Sequence, residues 1–271
     1  MKVRVIVGCT LLPLLLVLVL ALPKVFTAIL FALMAAVAAY ELLYGTGLVK
    51  QPRLCIYTSV CATWCVLWCG LGISSAWLVL GVILFWAALF AEMMISKLKL
   101  PFDRVACCLA AGVVLPLLLG SLVRIHAGEQ GRFFILIPFA IAFLSDTGAY
   151  FVGLKFGKHK LAPVISPKKT IEGVIGGALA AVFGMILYSL VLDVFFGFEM
   201  NYLFAILYGL LGSAAGVFGD LWFSVIKRQT GIKDYGKLIP GHGGILDRFD
   251  SMLVVGPLVE ALLVLLPVAV K

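Results

Sequence analysis

Residues Leu54–Ala91 read LCIYTSVCATWCVLWCGLGISSAWLVLGVILFWAALFA, 38 residues without one charge. As a single helix this run would be about 57 Å long at 1.5 Å per residue. That is nearly twice the roughly 30 Å of a bilayer's hydrocarbon core. One pass is therefore excluded, and Gly70–Ser75, GLGISS, is placed to turn the chain between two. Two apolar helices back to back define the class: an all-α, polytopic integral membrane protein.

The rest of the chain follows the same rule. Val5–Pro23, Val105–Val123, Gly173–Leu192 and Met200–Gly219 also lack charges, while Val25–Tyr40, Phe133–Ser145 and Ser251–Val259 each run on past a single acid. Nine transmembrane helices are expected, at 5–22, 25–44, 54–70, 75–94, 105–123, 133–153, 173–195, 201–226 and 250–270. Composition agrees: of 271 residues 63% are hydrophobic and only 13% charged, with mean hydropathy +1.18. A soluble domain is nearer half apolar and a quarter charged, and a disordered chain is more polar still. Lys2 and Arg4 ahead of the first run resemble the start of a signal peptide. The apolar core is longer than usual for one and a second span follows at once, so a retained helix is expected.

The net charge is +8, but its distribution says more than its sum. With nine spans, 17 of the 21 basic residues fall on the N-terminal side and 4 on the other; a single pass through 54–91 would leave 7 on the N-terminal side and 14 on the other. The sharper asymmetry places the N-terminus in the cytoplasm and the C-terminus outside. The basicity then belongs to cytoplasmic loops and anionic lipid, with no nucleic acid partner expected. Seven cysteines lie in apolar stretches with no CxxC and no neighbouring histidine, so they read as packing residues.

Polar chemistry concentrates in the C-terminal part. A scaffold of residues 1–130 is expected to precede a catalytic half, 131–271, with cytoplasmic loops at 153–172 and 227–249. The acids Asp146, Glu172, Asp220, Asp234, Asp247 and Asp250 gather there. In the first loop, Lys168, Lys169 and Thr170 precede a helix start, whose free amides attract phosphate. An interfacial loop with snorkelling lysines is the plainer alternative. On the 201–226 helix, Gly209, Gly212, Gly216 and Gly219 share one face, expected to pack on Gly173, Gly176, Gly177, Ala180 and Gly184 of the preceding helix. At about 100° per residue, Asp220, Ser224 and Lys227 fall near that face and Trp222 opposite. A carboxylate pointing into a membrane bundle is costly unless paired, so it marks either a site or an ion pair with a loop Lys or Arg. Lys227, Arg228, Lys233 and Lys237 then bring cations, Gly236, Gly241, Gly243 and Gly244 bring approachable backbone, and Asp247 and Asp250 stand one turn apart. Such a set suits Mg²⁺ and polyphosphate. Asp250, before Ser251, is the better placed of the two acids to cap the last helix.

The segment Ser224–Asp250, SVIKRQTGIKDYGKLIPGHGGILDRFD, fits the pattern S-x-x-K-R-x4-K-D-x-G-x3-P-x-H-G-G-x2-D-R-x-D at all 13 fixed positions in 27 residues. In this it resembles the phosphatidate cytidylyltransferase (CDP-diacylglycerol synthase) family, as do SDTGAYFVG (145–153) and ISPKKTIEG (165–173) upstream. The resemblance implies a Mg²⁺-dependent reaction of CTP with phosphatidic acid, giving CDP-diacylglycerol and pyrophosphate; the size and compact single-module plan suggest a bacterial inner (plasma) membrane. A homodimer and a monovalent cation such as K⁺ are implied too. Asp220 and Asp247 would be metal ligands, with Asp146 and Asp250 as further acids, and Lys227 and Arg228 would act in catalysis. Ser224, Lys168, Lys169, Thr170, Glu172, Lys233, Asp234, His242, Gly243, Gly244 and Arg248 would bind substrate. The lipid phosphate is ionised at neutral pH, so His242 is expected to position or donate, not to act as a base.

Three other readings fit less well. A CTP-dependent lipid kinase would need a general base. A transporter would carry its charges at the midplane, not at one membrane face. A CDP-alcohol phosphotransferase would need an Asp-Gly…Ala-Arg…Asp…Asp pattern, which the sequence lacks.

Overall fold

The computed structural model describes residues 17, 19–97, 99–239, 241 and 243–270. Among them seven helices are long and apolar enough to cross a membrane. Helix α1 is Lys24–Tyr40, extended by a π-helical turn Glu41–Gly45; α2 is Pro52–Leu71 and α3 Ser75–Ile95. Helix α4 is Phe102–Ala127, with a π-helical turn at Ala110–Val114, and α5 is Leu136–Phe156 after one turn at Gly131–Phe134. Helices α6 (Ile171–Phe196) and α7 (Tyr202–Gln229) are followed by a one-turn α8 (Leu246–Phe249) and by α9 (Met252–Leu265). The expected helix at 5–22 falls almost wholly outside the described residues.

The chain is mostly helical, as expected, with two short two-stranded sheets besides. Strand β1 (Lys160–Ala162) pairs antiparallel with β2 (Ser166–Thr170), and β3 (Glu199–Met200) with β4 (Ala269–Val270). Pro163 and Pro167 bar a helix through the first segment, so the chain pairs with itself to satisfy its backbone. The last helix stops at Leu265, not 270, because Leu266 precedes Pro267 and leaves the helical region at φ −138°, ψ 70°. Helices α5 and α7 instead run three residues past their expected ends. Lys155, Lys227 and Arg228 therefore sit on final helical turns, where cations favour the helix dipole.

The chain forms two compact units. One contains the described residues of Met1–Arg132 together with Lys227–Phe249; the other contains Phe133–Ile226 with the described residues of Asp250–Lys271. The segment 227–249 thus belongs with the N-terminal helices.

In the first unit the 54–91 run is divided as its residues require. Helix α2 ends at Gly72, in the left-handed region at φ 63°, and α3 begins behind Ser74, whose Oγ accepts from the Ala76 N–H at 3.3 Å. Helices α1, α2 and α4 bury Phe31, Ala35, Val66, Leu119 and Leu122. Gly70 lies against Ala28 so closely that a methyl group would collide, the small-on-small contact that lets membrane helices approach. Lys24 Nζ donates to the carbonyls of Ala127 and Gly128 at 2.8 and 2.9 Å, joining the start of α1 to the end of α4. Helix α3 is only 11% buried and exposes Trp77, Ile83, Leu84, Trp86 and Phe90, a face suited to lipid. The described cysteines are free thiols, mostly buried.

In the second unit the glycine seams have different partners from those expected. The α6 glycines face α5: a Cβ on Gly177 would lie 2.6 Å from the Ser145 carbonyl oxygen, and one on Gly176 would collide with Val152. Of the α7 glycines, only Gly209 meets α6, at Val182; Gly212 meets Ile141 of α5, and Gly219 meets Asp250 and Ser251 before α9. Gly209, Gly212 and Gly219 each still mark a close approach, but α7 divides its seam among three neighbours. The Ser145 and Ser213 hydroxyls, 2.7 Å apart, add a buried hydrogen bond between α5 and α7.

Two helical glycines separate crowding from propensity. A Cβ on Gly216 would meet Val255 at an ordinary 3.5 Å, whereas Gly177 has backbone in the way. Gly216→Ala should leave stability unchanged or raise it by up to about 1 kcal/mol. Gly177→Ala should lower it by about 1–3 kcal/mol. Thermal unfolding in detergent reads both; equal shifts would contradict the packing described.

Candidate functional site

Each unit brings some of the expected site residues together in a cluster. In the second unit β2 runs straight into α6, and the junction is fixed by two residues. Thr170, at φ −124° and ψ 152°, is the N-cap of α6 and accepts from the Gly173 N–H at 3.2 Å. Glu172 in the first turn reaches back, accepting from the Lys158 and His159 N–H groups at 3.1 and 3.2 Å, with His159 Nδ1 2.6 Å away. Both residues were expected to touch substrate. Their polar atoms are engaged in shaping the turn and the strand that carry Lys168 and Lys169.

Lys169 uses that position to reach α7. Its Nζ lies 2.6 Å from Asp220 Oδ2, and the buried Ser224, one turn on, donates to Asp220 Oδ1 at 3.2 Å. The loop-to-helix ion pair weighed from the sequence is therefore present. It is not sealed: the Asp220 side chain remains 32% exposed. It lines a cavity of about 630 Å³ with Asp146, Tyr150, Lys168, Lys169 and Thr170. A wall with three lysines, Lys160, Lys168 and Lys169, and two carboxylates, flanked by apolar α5 and α6 residues, can take a ligand that is anionic at one end and apolar at the other.

The first unit holds the second cluster, around Asp247 on the one-turn α8. Asp247 Oδ1 accepts from Lys227 Nζ at 3.0 Å, and Oδ2 accepts from the Tyr235 and Gly244 N–H groups at 2.8 and 3.0 Å. The two side chains are 2% and 12% exposed, so this is a desolvated pair. Lys227 Nζ also stands 5.4 Å from the centre of the Tyr235 ring, within range of a cation–π attraction. Gly243 is required twice here. Its φ is +88°, and a Cβ would lie 2.8 Å from Asp247 Oδ2. The Ile239 N–H donates to the Gly243 carbonyl at 2.9 Å, which folds the glycine-rich turn on itself.

Glu41 joins this cluster, and the sequence reading missed it. At the end of α1, its Oε1 and Oε2 accept from the Ile245 and Leu246 N–H groups at 3.2 and 2.9 Å. A signal existed: an acid inside an otherwise apolar span is functional by default. What the sequence could not show was the partner, 205 residues away.

The remaining expected residues are placed as follows. Arg228, Lys233, Asp234 and Arg248 are exposed, Asp146 is exposed at the cavity wall, and His242 lies outside the described residues. Asp250 accepts from the Ser251 N–H at 2.8 Å, directly before α9, while the Ser251 side chain makes no cap. Among the described residues no three His, Cys, Asp or Glu side chains converge in a metal-binding group. Each cluster instead offers one lysine-paired carboxylate.

The chain matches the model of the Cytidylyltransferase family over residues 2–266. It is 44% identical over 170 residues to a phosphatidate cytidylyltransferase of Staphylococcus epidermidis, covering 63% of each chain. It is 40% identical over 176 residues, 65% of each chain, to that of Staphylococcus haemolyticus. With that of Staphylococcus aureus the identity is 43% over 170 residues. The chain thus spans less than two thirds of the length of these relatives. The family match itself leaves out only the first residue and the last five, and the chain belongs to the cytidylyltransferase family.

Proposed function

We propose that the chain is a phosphatidate cytidylyltransferase, transferring the cytidylyl group of CTP to phosphatidic acid with release of pyrophosphate. The observation that carries this reading is the complete 27-residue motif, together with what its residues do: Lys227 and Asp247 form a buried ion pair within it. The named staphylococcal relatives support the same assignment.

The chemistry asks little of a base. An ionised phosphate oxygen of the lipid bonds to the α-phosphorus of CTP, and the bond from that phosphorus to the β-phosphate bridge oxygen breaks. Catalysis is alignment and neutralisation of charge on the phosphates. Lys169 and Lys227 are suited to the task because each is held by a carboxylate until a stronger anion arrives. With substrate bound, each lysine would turn to a phosphate oxygen, and the carboxylate it leaves, Asp220 or Asp247, would be free to hold a divalent cation. One or two carboxylates plus substrate phosphates is the usual way a protein binds Mg²⁺, so the donor set fits. Mg²⁺ there would neutralise the pyrophosphate leaving group. A monovalent cation such as K⁺ and a homodimeric state complete the proposal, as the family resemblance implies.

The cavity beside Asp220 is proposed to seat the lipid phosphate. Apolar Tyr150, Leu154 and Val174 on its wall suit an acyl glycerol, and Lys168 and Lys169 suit its headgroup. CTP labelled separately at its α- and γ-phosphates tests the reaction. With phosphatidic acid as acceptor, α-label should pass into the organic phase and γ-label stay in water as pyrophosphate. If γ-label enters the lipid, the protein is a kinase and the assignment is wrong.

The topology proposed is nine spans in the plasma membrane, the N-terminus cytoplasmic and the C-terminus outside. The seven long helices and the 17-to-4 distribution of basic residues support it. Cysteines replacing the exposed Lys160 and Lys233 in a cysteine-free background should react with an impermeant thiol reagent in inverted vesicles and not in intact cells. Reaction of either from outside would overturn the orientation.

A further inference from the structure

Glu41 is 5% exposed at the π-helical turn that closes α1. Its two oxygens accept from the Ile245 and Leu246 N–H groups, and Leu246 is followed directly by Asp247. The glycine loop is moulded around the same carboxylate. A Cβ on Gly236 or on Gly244 would collide with Glu41, and a Cβ on Gly45 would collide with the Tyr235 carbonyl. Tyr235 and Gly244 are the residues whose amides donate to Asp247 Oδ2. Every backbone segment that grips Asp247 is therefore seated on the end of α1.

We propose that Glu41 is a positioning residue: through the backbone of 235–246 it holds the Asp247 carboxylate in the orientation that a divalent cation and CTP require, without touching either. A buried anion with two backbone donors is a rigid anchor, because releasing it would leave a charge and two amides unpaired. Glutamine cannot replace it. Its single oxygen satisfies one amide, and its NH₂ group meets the other donor head on. Aspartate keeps both oxygens but is one methylene short.

This role rests on the reading of Asp247 as a metal and nucleotide ligand, so two measurements are needed. The first is amide hydrogen exchange over 235–249 in the full chain in nanodiscs, which requires no turnover. The second is the Mg²⁺ dependence of cytidylyl transfer. Glu41→Gln should speed exchange in that segment while leaving α5 and α6 unchanged. It should also raise the Mg²⁺ concentration for half-maximal rate about tenfold or more, the usual effect of losing a group that orients a metal ligand. KM for phosphatidic acid should stay within about twofold, since a merely structural defect would move every parameter together. Unaltered exchange, or a fall in kcat at an unaltered Mg²⁺ requirement, would overturn the proposal. A wild type that makes no CDP-lipid would overturn the functional reading instead, and exchange would still decide whether Glu41 holds the loop. Should Glu41→Gln not fold, Gly236→Ala drives a methyl into the same carboxylate and is read by the same two measurements.

Discussion

The Asp247 carboxylate accepts from Lys227 Nζ and from the amides of Tyr235 and Gly244, and much of the first unit exists to make those bonds possible. An anion among apolar helices must be given donors, because an unpaired one would be protonated or would unfold its surroundings. The turn containing Gly243 brings an amide close enough to serve, and its left-handed φ leaves no room for a side chain. Glu41 then fixes the ends of that turn to α1. Two acids and a lysine thus turn an otherwise irregular loop into a defined one. The buried pair is better understood as a device for specific geometry than as a source of stability.

The second unit repeats the principle with a more open carboxylate. Asp220 is held by Lys169 and Ser224, but its side chain reaches a cavity instead of being enclosed. Both carboxylates carry a lysine partner, and that suits a site whose ligand is a highly charged anion bound with a cation. Without ligand the charges cancel within the protein. In the proposed reaction lysine would go to phosphate and carboxylate to metal, and the charges would cancel again. No ionised group is left stranded in either state, which matters in a chain with only 13% charged residues.

The fold was legible wherever a residue punctuates the helix pattern. Gly72 and Ser74 divide the 54–91 run, and the π turns inside α1 and α4 do not disturb their apolar character. Boundaries were misread where charge stood in for punctuation. Lys155, Lys227 and Arg228 suggested loops, yet long basic side chains end helices comfortably. The short sheets were missed because two to five residues carry too little periodicity to register. In the site, Asp220, Asp247 and Lys227 stood out because charges are rare in this chain. Thr170 and Glu172 were read as substrate residues because a helix start with Lys, Thr and Glu suits a phosphate cradle; Thr170 also caps α6 and Glu172 also holds the turn before it. Of the α7 glycines, Gly209 meets α6 as expected while Gly212 and Gly219 meet other neighbours, since a helical wheel shows a face and not what it meets. Glu41 was visible as an acid in an apolar span, but its partner lay too far along the chain for any local pattern.

The central proposal is that Asp220 and Asp247 are each needed for a divalent cation to bind with the phosphates of CTP. Mn²⁺ in place of Mg²⁺ allows that to be observed without turnover. Electron paramagnetic resonance of Mn²⁺ with the purified protein, with and without CTP, should show tight binding only when CTP is present. Asp220→Asn and Asp247→Asn should each weaken that CTP-dependent binding strongly while leaving the protein folded. Mn²⁺ bound as tightly in either variant as in the wild type would contradict the account.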